Sequence, residues 1–455
     1  MELVATPHSP PDSRAWRIRI GSLLVPLAHA AGMNVVTMLG LRFLTDSLAI
    51  SAGVAGTIFA AVKIYDGLLD PAVGAWSDRF RSNWGRRLPF LFAGGLAMPL
   101  GLALLFGTPS FESLLLAELF VALALAIHAT GFTLLTIPGF AMVVEASADH
   151  HERTRLMAWR VYGNSAGTML GTTLPGWLLA STGATRSGHF VMALVIGAIV
   201  LAATLAAVWL LRDAPRTSSG EAAKERYSLA RQARLAWANR PFRLLAFAHI
   251  FLLFGTAAGS AGMAYFSRYV LKAGDGWLGS YFLVATIANL VTTPAWVWLS
   301  RTIGKKACYM SAMAIYGAMH LLWLSAHEGE SQILLGLRAA VIGTAAAGMI
   351  LCAYSLLSDA VRHDFIQSGE RREGAFAGFT TLFDKLSAAI ALAAMGWFLA
   401  AMGYVASSSG AAAAQSESAV LAVRLCVSVV PALALLCAIF SITTYDLDPA
   451  SLEDA

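Results

Sequence analysis

Uncharged apolar runs alternate along the chain with short segments rich in charged residues, glycine, proline or serine. An α-helix needs about 20 apolar residues to cross the ~30 Å hydrocarbon core of a bilayer. The first run is too long for the apolar region of a cleaved signal peptide, so we expect it to remain as a helix. Twelve runs predict spanning helices, at residues 20–44, 54–76, 88–106, 113–142, 156–180, 189–211, 244–271, 276–300, 306–326, 332–361, 375–403 and 419–443.

The distribution of charge predicts how these helices are oriented. Only 13% of the residues are charged, against about 25% in soluble domains. Of the 32 Lys and Arg residues, 23 fall in the N-terminal tail and in every second loop. Because positive charge collects on the cytoplasmic side, we expect a multi-pass protein of the inner (cytoplasmic) membrane with both termini in the cytoplasm. The net charge of +5 has the same origin, and we expect no nucleic-acid partner.

The longest loop, residues 212–243, divides the helices six and six and contains eight Lys and Arg residues. Within it, apolar residues at helical spacing among the arginines of 227–238 predict a helix on the anionic membrane surface. The predicted organisation is a cytoplasmic N-terminal tail (1–19), an N-terminal bundle (20–211), a cytoplasmic linker (212–243), a C-terminal bundle (244–443) and a cytoplasmic C-terminal tail (444–455).

Ionisable side chains inside the predicted helices indicate where the function lies, because each costs about 2.5–3.5 kcal/mol at the bilayer centre. Asp66 and Asp70 are one turn apart in helix 2, so both carboxylates project from one face. Two such charges repel in a low dielectric, so either one carboxyl holds a proton or a cation lies between them. Pro71 frees the carbonyl oxygen of Gly67, which is a further candidate ligand.

A structural role for these acids is the alternative. Asp66 is one turn from Lys63, and Arg160 of helix 5 and Lys385 of helix 11 are possible partners across the bundle. Asp384 points about 100° away from its neighbour in helix 11, so we expect it to make a different contact. Because two acids and a mid-helix proline are hard to explain by packing, we favour a binding site.

Three segments carry a family resemblance. The first runs from Lys63 through helix 2 to Pro89, the second from Ile137 to Arg160, and the third from Ser358 to Lys385. In this order they resemble the glycoside-pentoside-hexuronide:cation symporters, the melibiose permease family of the major facilitator superfamily. The loop after helix 8, residues 300–306, looks like a degenerate copy of the loop after helix 2.

The resemblance implies an all-α membrane protein with the major facilitator fold, in which twelve transmembrane helices form two six-helix bundles around a cavity that opens alternately to either side. It implies that Asp66, Asp70 and Thr133 bind the coupling cation and that Lys385 reaches the same site. It also implies a cytoplasmic gate in the loop after helix 2. The alternative is that the basic residues of this loop only set the membrane topology. The gate residues are Asp78, Arg79, Gly85, Arg86 and Arg87.

Departures from the family pattern bear on the solute and on the ion. The carboxylates that hold sugar hydroxyls in melibiose-type members are replaced by Ala30 and Thr136. Leu69 stands where sodium-coupled members often have an amide, which removes an oxygen ligand from the site. We therefore expect coupling to H+ rather than to Na+.

Candidate solute contacts are polar and aromatic residues of helices 1, 4 and 5. Arg160 is the strongest, and its alternative role is a structural pair with an aspartate of helix 2. Aromatic side chains suit sugar rings, but in membrane helices they often serve packing or interface anchoring. The candidates are His29, Asn34, Thr136, Trp159, Arg160, Tyr162 and Asn164.

These observations predict a monomeric, cation-coupled secondary active symporter of a glycoside or other sugar-like solute. Its partners are the solute, the coupling cation and the bilayer. A transporter of lysophospholipids or other amphipathic molecules is the alternative, since a branch of the same family moves such lipids. That role requires an apolar lateral opening between helices 5 and 8. The sequence has no HExxH, GxSxG or phosphate-loop motif, so we expect neither an enzyme nor a cofactor or metal site.

Overall fold

The computed structural model describes residues 13–146, 150–214, 237–369, 373–408 and 413–447. This part of the chain is all-α, and its helices are α1 (Ser13–Ser47), α2 (Ala52–Arg79), α3 (Leu88–Phe106), α4 (Leu114–Glu145), α5 (His150–Thr182), α6 (Arg186–Leu211), α7 (Arg240–Tyr269), α8 (Gly274–Thr302), α9 (Lys305–Leu321), α10 (Gln332–Ser368), α11 (Glu373–Ala401), α12 (Glu417–Val427) and α13 (Val429–Thr443).

The helices confirm the predicted fold class. Eleven segments are long and apolar enough to cross a membrane, with α12 and α13 counted as one. The twelfth is α5, which is less apolar because its sequence includes Arg153, Arg155 and Arg160. Most of the predicted linker, the surface helix within it and the outermost residues of both tails lie outside the described residues.

Several helices differ from their predicted limits because polar residues extend them beyond the apolar runs. The first helix begins at Ser13, and α10 continues to Ser368, where Gly369 adopts a φ of 68° and ends it. The continuous helix predicted over 419–443 is interrupted at Ser428. Pro431 has no N–H to bond the carbonyl of Val427. The ring of His320 in α9 contacts this carbonyl instead, through Nδ1.

The two halves repeat each other in the loops that the sequence relates. Gly85 after α2 and Gly304 after α8 have φ values of 95° and 84°, a conformation that favours glycine. Beyond the first glycine, Arg87 forms an ion pair with Glu145 at the end of α4. Beyond the second, Lys305 forms one with Asp359 in α10. We call the face bearing these loops the basic side and the opposite face the far side.

Glycines bring the two halves together along two helix pairs. A Cβ added at Gly56 of α2 would lie 2.9 Å from the carbonyl oxygen of Leu392 in α11. At Gly176 of α5, it would lie 2.6 Å from the carbonyl oxygen of Asp275 in α8. Small residues at such contacts allow helix backbones to approach closely in a membrane. Both contacts lie toward the far side, so the halves are tightly packed there.

Buried charges and tyrosines also join the halves at the far side. Arg42 of α1 forms an ion pair of 2.5 Å with Asp275 of α8, and its side chain is 1% exposed. Asp46 of α1 lies 3.4 Å from Arg268 of α7 and accepts hydrogen bonds from Tyr269 and from one further tyrosine. We call these residues the far-side cluster; its members are Arg42, Asp46, Arg268, Tyr269, Asp275 and Tyr404.

We predict that Asp275→Asn destabilises the protein by about 3–5 kcal/mol, because it leaves the buried charge of Arg42 without its partner. Thermal unfolding in detergent measures the change. The matched control is Glu328→Gln, which breaks the exposed ion pair with Lys272, in which both side chains are 62% exposed. Equal effects of the two amide substitutions would contradict a role of the far-side cluster in holding the halves together.

Candidate functional site

The four residues expected at the cation site lie together between the two halves. Thr133 Oγ1 of α4 is 2.9 Å from an oxygen of Asp66 and 2.9 Å from an oxygen of Asp70. Lys385 Nζ of α11 is 3.0 Å from Asp66 Oδ1 and 2.6 Å from Asp70 Oδ2. Spacing of one helical turn puts both carboxylates on the face of α2 that meets α4 and α11. The i,i+4 pattern in the sequence therefore corresponds to one compact cluster.

Lys385 makes the polar connection between the halves at this depth. Its ammonium group has three N–H donors. Three acceptors surround it, because the carbonyl oxygen of Asp66 lies 3.0 Å from Nζ in addition to the two carboxylates. Pro71 led us to expect the carbonyl oxygen of Gly67 in the cluster. The backbone oxygen found there belongs instead to the preceding residue, Asp66.

The cluster has balanced charge and little contact with water. Asp66 is 1% exposed and Lys385 is 9% exposed. Lys63 Nζ, one turn away in α2, lies 3.8 Å from Asp66 Oδ2. Two carboxylates therefore face two ammonium groups, which offsets the cost of burying each charge. Loss or gain of one positive charge would leave this buried cluster with a net charge. A site that couples transport to a cation needs such sensitivity to a single charge.

Arg160 and His29 lie on the wall formed by α1, α4 and α5. The guanidinium carbon of Arg160 is 5.1 Å from the ring centre of Phe140, and its Nη1 is buried with no hydrogen-bond partner among the described residues. His29 packs edge-on against Phe132 at 5.5 Å, and its Nε2 also lacks a partner within that part of the chain. Arg160 forms no ion pair with the described aspartates of α2, so the structural pairing considered for it is not observed.

The other candidate solute contacts divide into two groups. Asn34 donates to the carbonyl of Ala30 and to Thr168 of α5, so it serves a contact between helices. Trp159 packs against Trp16 with a distance of 5.6 Å between ring centres. In contrast, Tyr162 and Asn164 of α5 are exposed, and Thr136 donates to the backbone of its own helix. Of the predicted wall, Arg160 and His29 are the residues with a buried polar atom that has no partner among the described residues.

The predicted gate residues form ion pairs within the N-terminal half. Arg87 lies 3.1 Å from Asp78 and 2.7 Å from Glu145, and Arg86 lies 3.2 Å from the same glutamate. These contacts attach the loop after α2 to the end of α4. Arg79 is exposed on the basic side. In this conformation the cluster stabilises one half and does not bridge to the described residues of the other.

Sequence reasoning missed most of the far-side cluster. Arg42 and Arg268 lie near the ends of apolar runs, where a basic residue has no local partner that the sequence reveals. Asp46 and Asp275 had no assigned role, although an acid at the end of an apolar helix is a signal that a buried partner exists. Their partners come from different helices, so no local spacing relates them.

A two-halved bundle of twelve spanning helices with a charged site between the halves defines a membrane transporter rather than an enzyme. The chain belongs to the MFS/sugar transport protein family, whose model matches residues 21–449. The resemblance to the glycoside-pentoside-hexuronide:cation symporters within the major facilitator superfamily is thereby confirmed.

Individual proteins agree with this assignment. An uncharacterized symporter of Synechocystis sp. PCC 6803 (sll1374) is 25% identical over 90% of this chain and 91% of its own. The isoprimeverose transporter of Lactiplantibacillus pentosus is 23% identical over 84% of this chain and 80% of its own. The crystal structure of a D-xylose-proton symporter superposes with a TM-score of 0.67 at 15% identity, covering 94% of this chain and 97% of that one. The last comparison concerns the fold alone.

We predict that Lys385→Met destabilises the protein by about 3–5 kcal/mol, because two buried carboxylates then share one ammonium group. Adding Asp70→Asn removes one of these charges, so the double variant should be more stable than Lys385→Met alone. Thermal unfolding in detergent at neutral pH measures this non-additivity. The control is Lys272→Met, which removes an exposed lysine of the far side. Strictly additive losses would show that Lys385 and Asp70 do not interact.

Proposed function

We propose that the protein is a secondary active symporter that moves a sugar-like solute together with a proton across the inner membrane by alternating access. The observation that carries this proposal is the position of Lys385 Nζ between Asp66 and Asp70, in the interface between the two halves. The names of its relatives, a symporter and an isoprimeverose transporter, support the same class of function. In this proposal the basic side is cytoplasmic and the protein acts as a monomer.

Coupling follows from competition for the two carboxylates. While Lys385 is charged and in place, its three donors occupy the acceptors that a coupling cation would use. A cation that enters the site replaces the ammonium and releases the link between α2 and α11. Since the link joins the two halves, its release lowers the cost of moving one half against the other. The ion gradient thereby biases the direction of the conformational change.

The choice of a proton rests on the ligands that surround the carboxylates. Residue 69, between them on α2, is leucine and offers no oxygen to a metal cation. A small metal cation needs several oxygen ligands, whereas a proton needs a single carboxylate lone pair. Asp70 is also the more accessible acid, with a side chain that is 14% exposed against 1% for Asp66. We therefore assign the exchangeable proton to Asp70.

The proposed solute is polar because the wall offers hydrogen-bond donors that the protein leaves unused. Ala30 and Thr136, which replace the sugar-binding carboxylates of melibiose-type members, are occupied in packing and in a backbone hydrogen bond. Arg160 Nη1 and His29 Nε2 are buried and have no hydrogen-bond partner among the described residues, and in this proposal the solute supplies those partners. Buried donors without partners cost free energy, which a bound hydroxyl, ring oxygen or carboxylate offsets.

The lipid alternative receives less support. It requires an apolar lateral opening between helices 5 and 8. Toward the far side, Gly176 of α5 and Gly279 of α8 approach so closely that a Cβ on the first would lie 2.6 Å from the backbone nitrogen of the second. Trp177 Nε1 also lies 3.4 Å from Ser280 Oγ across this contact. We therefore favour a sugar-like solute, and we keep a lysophospholipid as an arm of the test.

The decisive experiment uses proteoliposomes with a trapped pH dye. Methyl glycosides and their uronides are added with and without sodium, and lysophosphatidylcholine uptake is measured in parallel. We predict sodium-independent proton movement driven by one of the glycosides or uronides. Asp70→Asn should lower this proton movement at least about tenfold, because the amide cannot exchange a proton. Glu328→Gln should behave as the wild type.

The same variants separate coupling from binding. Solute exchange between equal concentrations on both sides needs no ion gradient, so Asp70→Asn should retain it. If solute movement depends on sodium, the coupling ion is sodium and the proton assignment is wrong. Uptake of the lysolipid with no response to any sugar would refute the sugar-like solute.

A further inference from the structure

A histidine and an aspartate form a close pair inside the C-terminal half. His249 Nε2 of α7 lies 2.6 Å from Asp384 Oδ1 of α11. The pair is separate from the cation cluster, because Asp384 points about 100° away from Lys385 around the helix. The Asp384 side chain is 41% exposed and that of His249 is 15% exposed. An accessible carboxylate this far inside a membrane helix costs free energy, so its presence there indicates a function.

Asp384 lies on a different face of α11 from the exposed apolar residues, which favours its exposure to the interior of the bundle. The exposed apolar residues of this helix lie about 120–160° away from Asp384 around the axis. The large ones are Leu382, Leu386, Ile390 and Trp397. Seven, eleven and fifteen residues further on, the face of Asp384 continues with side chains that are at most 3% exposed. These are Ala391, Met395 and Leu399. The same face is thus buried near the far side and accessible at Asp384.

Aromatic side chains surround the His249 end of the pair. A small cavity of about 20 Å³ between α7, α9, α10 and α11 is lined by His249, Tyr309, Tyr354 and Phe383. Asp384 lies beside this cavity through its bond to His249, and Tyr354 is 56% exposed. A carboxylate beside aromatic faces is a combination that suits sugars, since the carboxylate accepts hydroxyl hydrogen bonds and the rings pack against C–H groups. With Oδ1 occupied by His249, Asp384 Oδ2 is available to a solute hydroxyl.

We propose that Asp384 is a solute-binding residue of the C-terminal half that accepts hydrogen bonds from the hydroxyl groups of the solute, and that His249 is the residue that positions it. This inference rests on the proposed function, and it supplies what the N-terminal half lacks. There the sugar-binding carboxylates are replaced by Ala30 and Thr136, and the buried polar atoms without a described partner are the Arg160 Nη1 donor and His29 Nε2. A solute held by donors in one half and by a carboxylate in the other joins the two halves.

The test compares Asp384→Asn with wild type in proteoliposomes, with the methyl glycosides and uronides of the first experiment and their monodeoxy analogues. A hydrogen bond to a charged acceptor predicts that Asp384→Asn raises KM about 10- to 100-fold with kcat little changed. The monodeoxy analogue that lacks the bonded hydroxyl should be transported equally poorly by wild type and by Asp384→Asn. The hydrogen bond is already absent when wild type binds this analogue, so the substitution has nothing further to remove. Glu328→Gln is the matched control.

His249 variants test the positioning role. His249→Gln retains an N–H donor and should keep KM within about threefold of wild type, whereas His249→Phe should raise KM to a value close to that of Asp384→Asn. Elution as a single monodisperse peak in detergent, together with an unchanged rate of proton leak, shows that each variant is folded. If Asp384→Asn fails this check, the comparison of the two His249 variants decides.

The outcomes distinguish this inference from the proposed function. If wild type moves none of the sugars, both fail. If wild type moves a sugar while Asp384→Asn keeps the wild-type KM, only the assignment of Asp384 is wrong. A loss of proton movement at unchanged KM would also overturn it, because Asp384 would then belong to coupling.

Discussion

The contact of one ammonium group with two carboxylates is the interaction on which the rest of this structure depends. Asp66 and Asp70 repel each other in a low dielectric, and Lys385 from the opposite half, together with Lys63 of α2, offsets the cost of burying them. The same contact fixes the distance between α2 and α11 at mid-depth. Electrostatic balance and the relative position of the two halves are therefore set by one group of atoms.

Around this contact, the two ends of the bundle are built differently. At the far side, glycine contacts and the far-side cluster bring the halves into direct contact. At the basic side, Arg87 and Lys305 form ion pairs, each with an acid of its own half. The internal repeat therefore produces two rigid bodies that are each stabilised at the basic side and joined to each other elsewhere. This arrangement is suited to motion of one half as a unit.

The sequence predicted the helices and the pair of acids on α2 because both depend on short-range patterns. Apolar runs determine the spans, and the spacing of Asp66 and Asp70 places two acids on one face. The place of Lys385 beside them came from the family resemblance. The pairing of His249 with Asp384, and that of Arg42 with Asp275, depends on which faces of distant helices meet, and no spacing along the chain encodes that. The break at Ser428 likewise needs the ring of His320, which lies in another helix.

The far-side cluster has a consequence for how the protein responds to its surroundings. Dissolved salt screens charges that are in contact with water, over about 8–10 Å at physiological ionic strength, and it affects buried pairs much less. Arg42 and Asp46 are each 1% exposed, so counterions have almost no access to them. The strength of this closure is therefore nearly independent of ionic strength, whereas the exposed pair of Lys272 and Glu328 on the same side is weakened by salt. On whichever side of the membrane it lies, the far-side cluster therefore joins the two halves equally well in dilute and in concentrated salt.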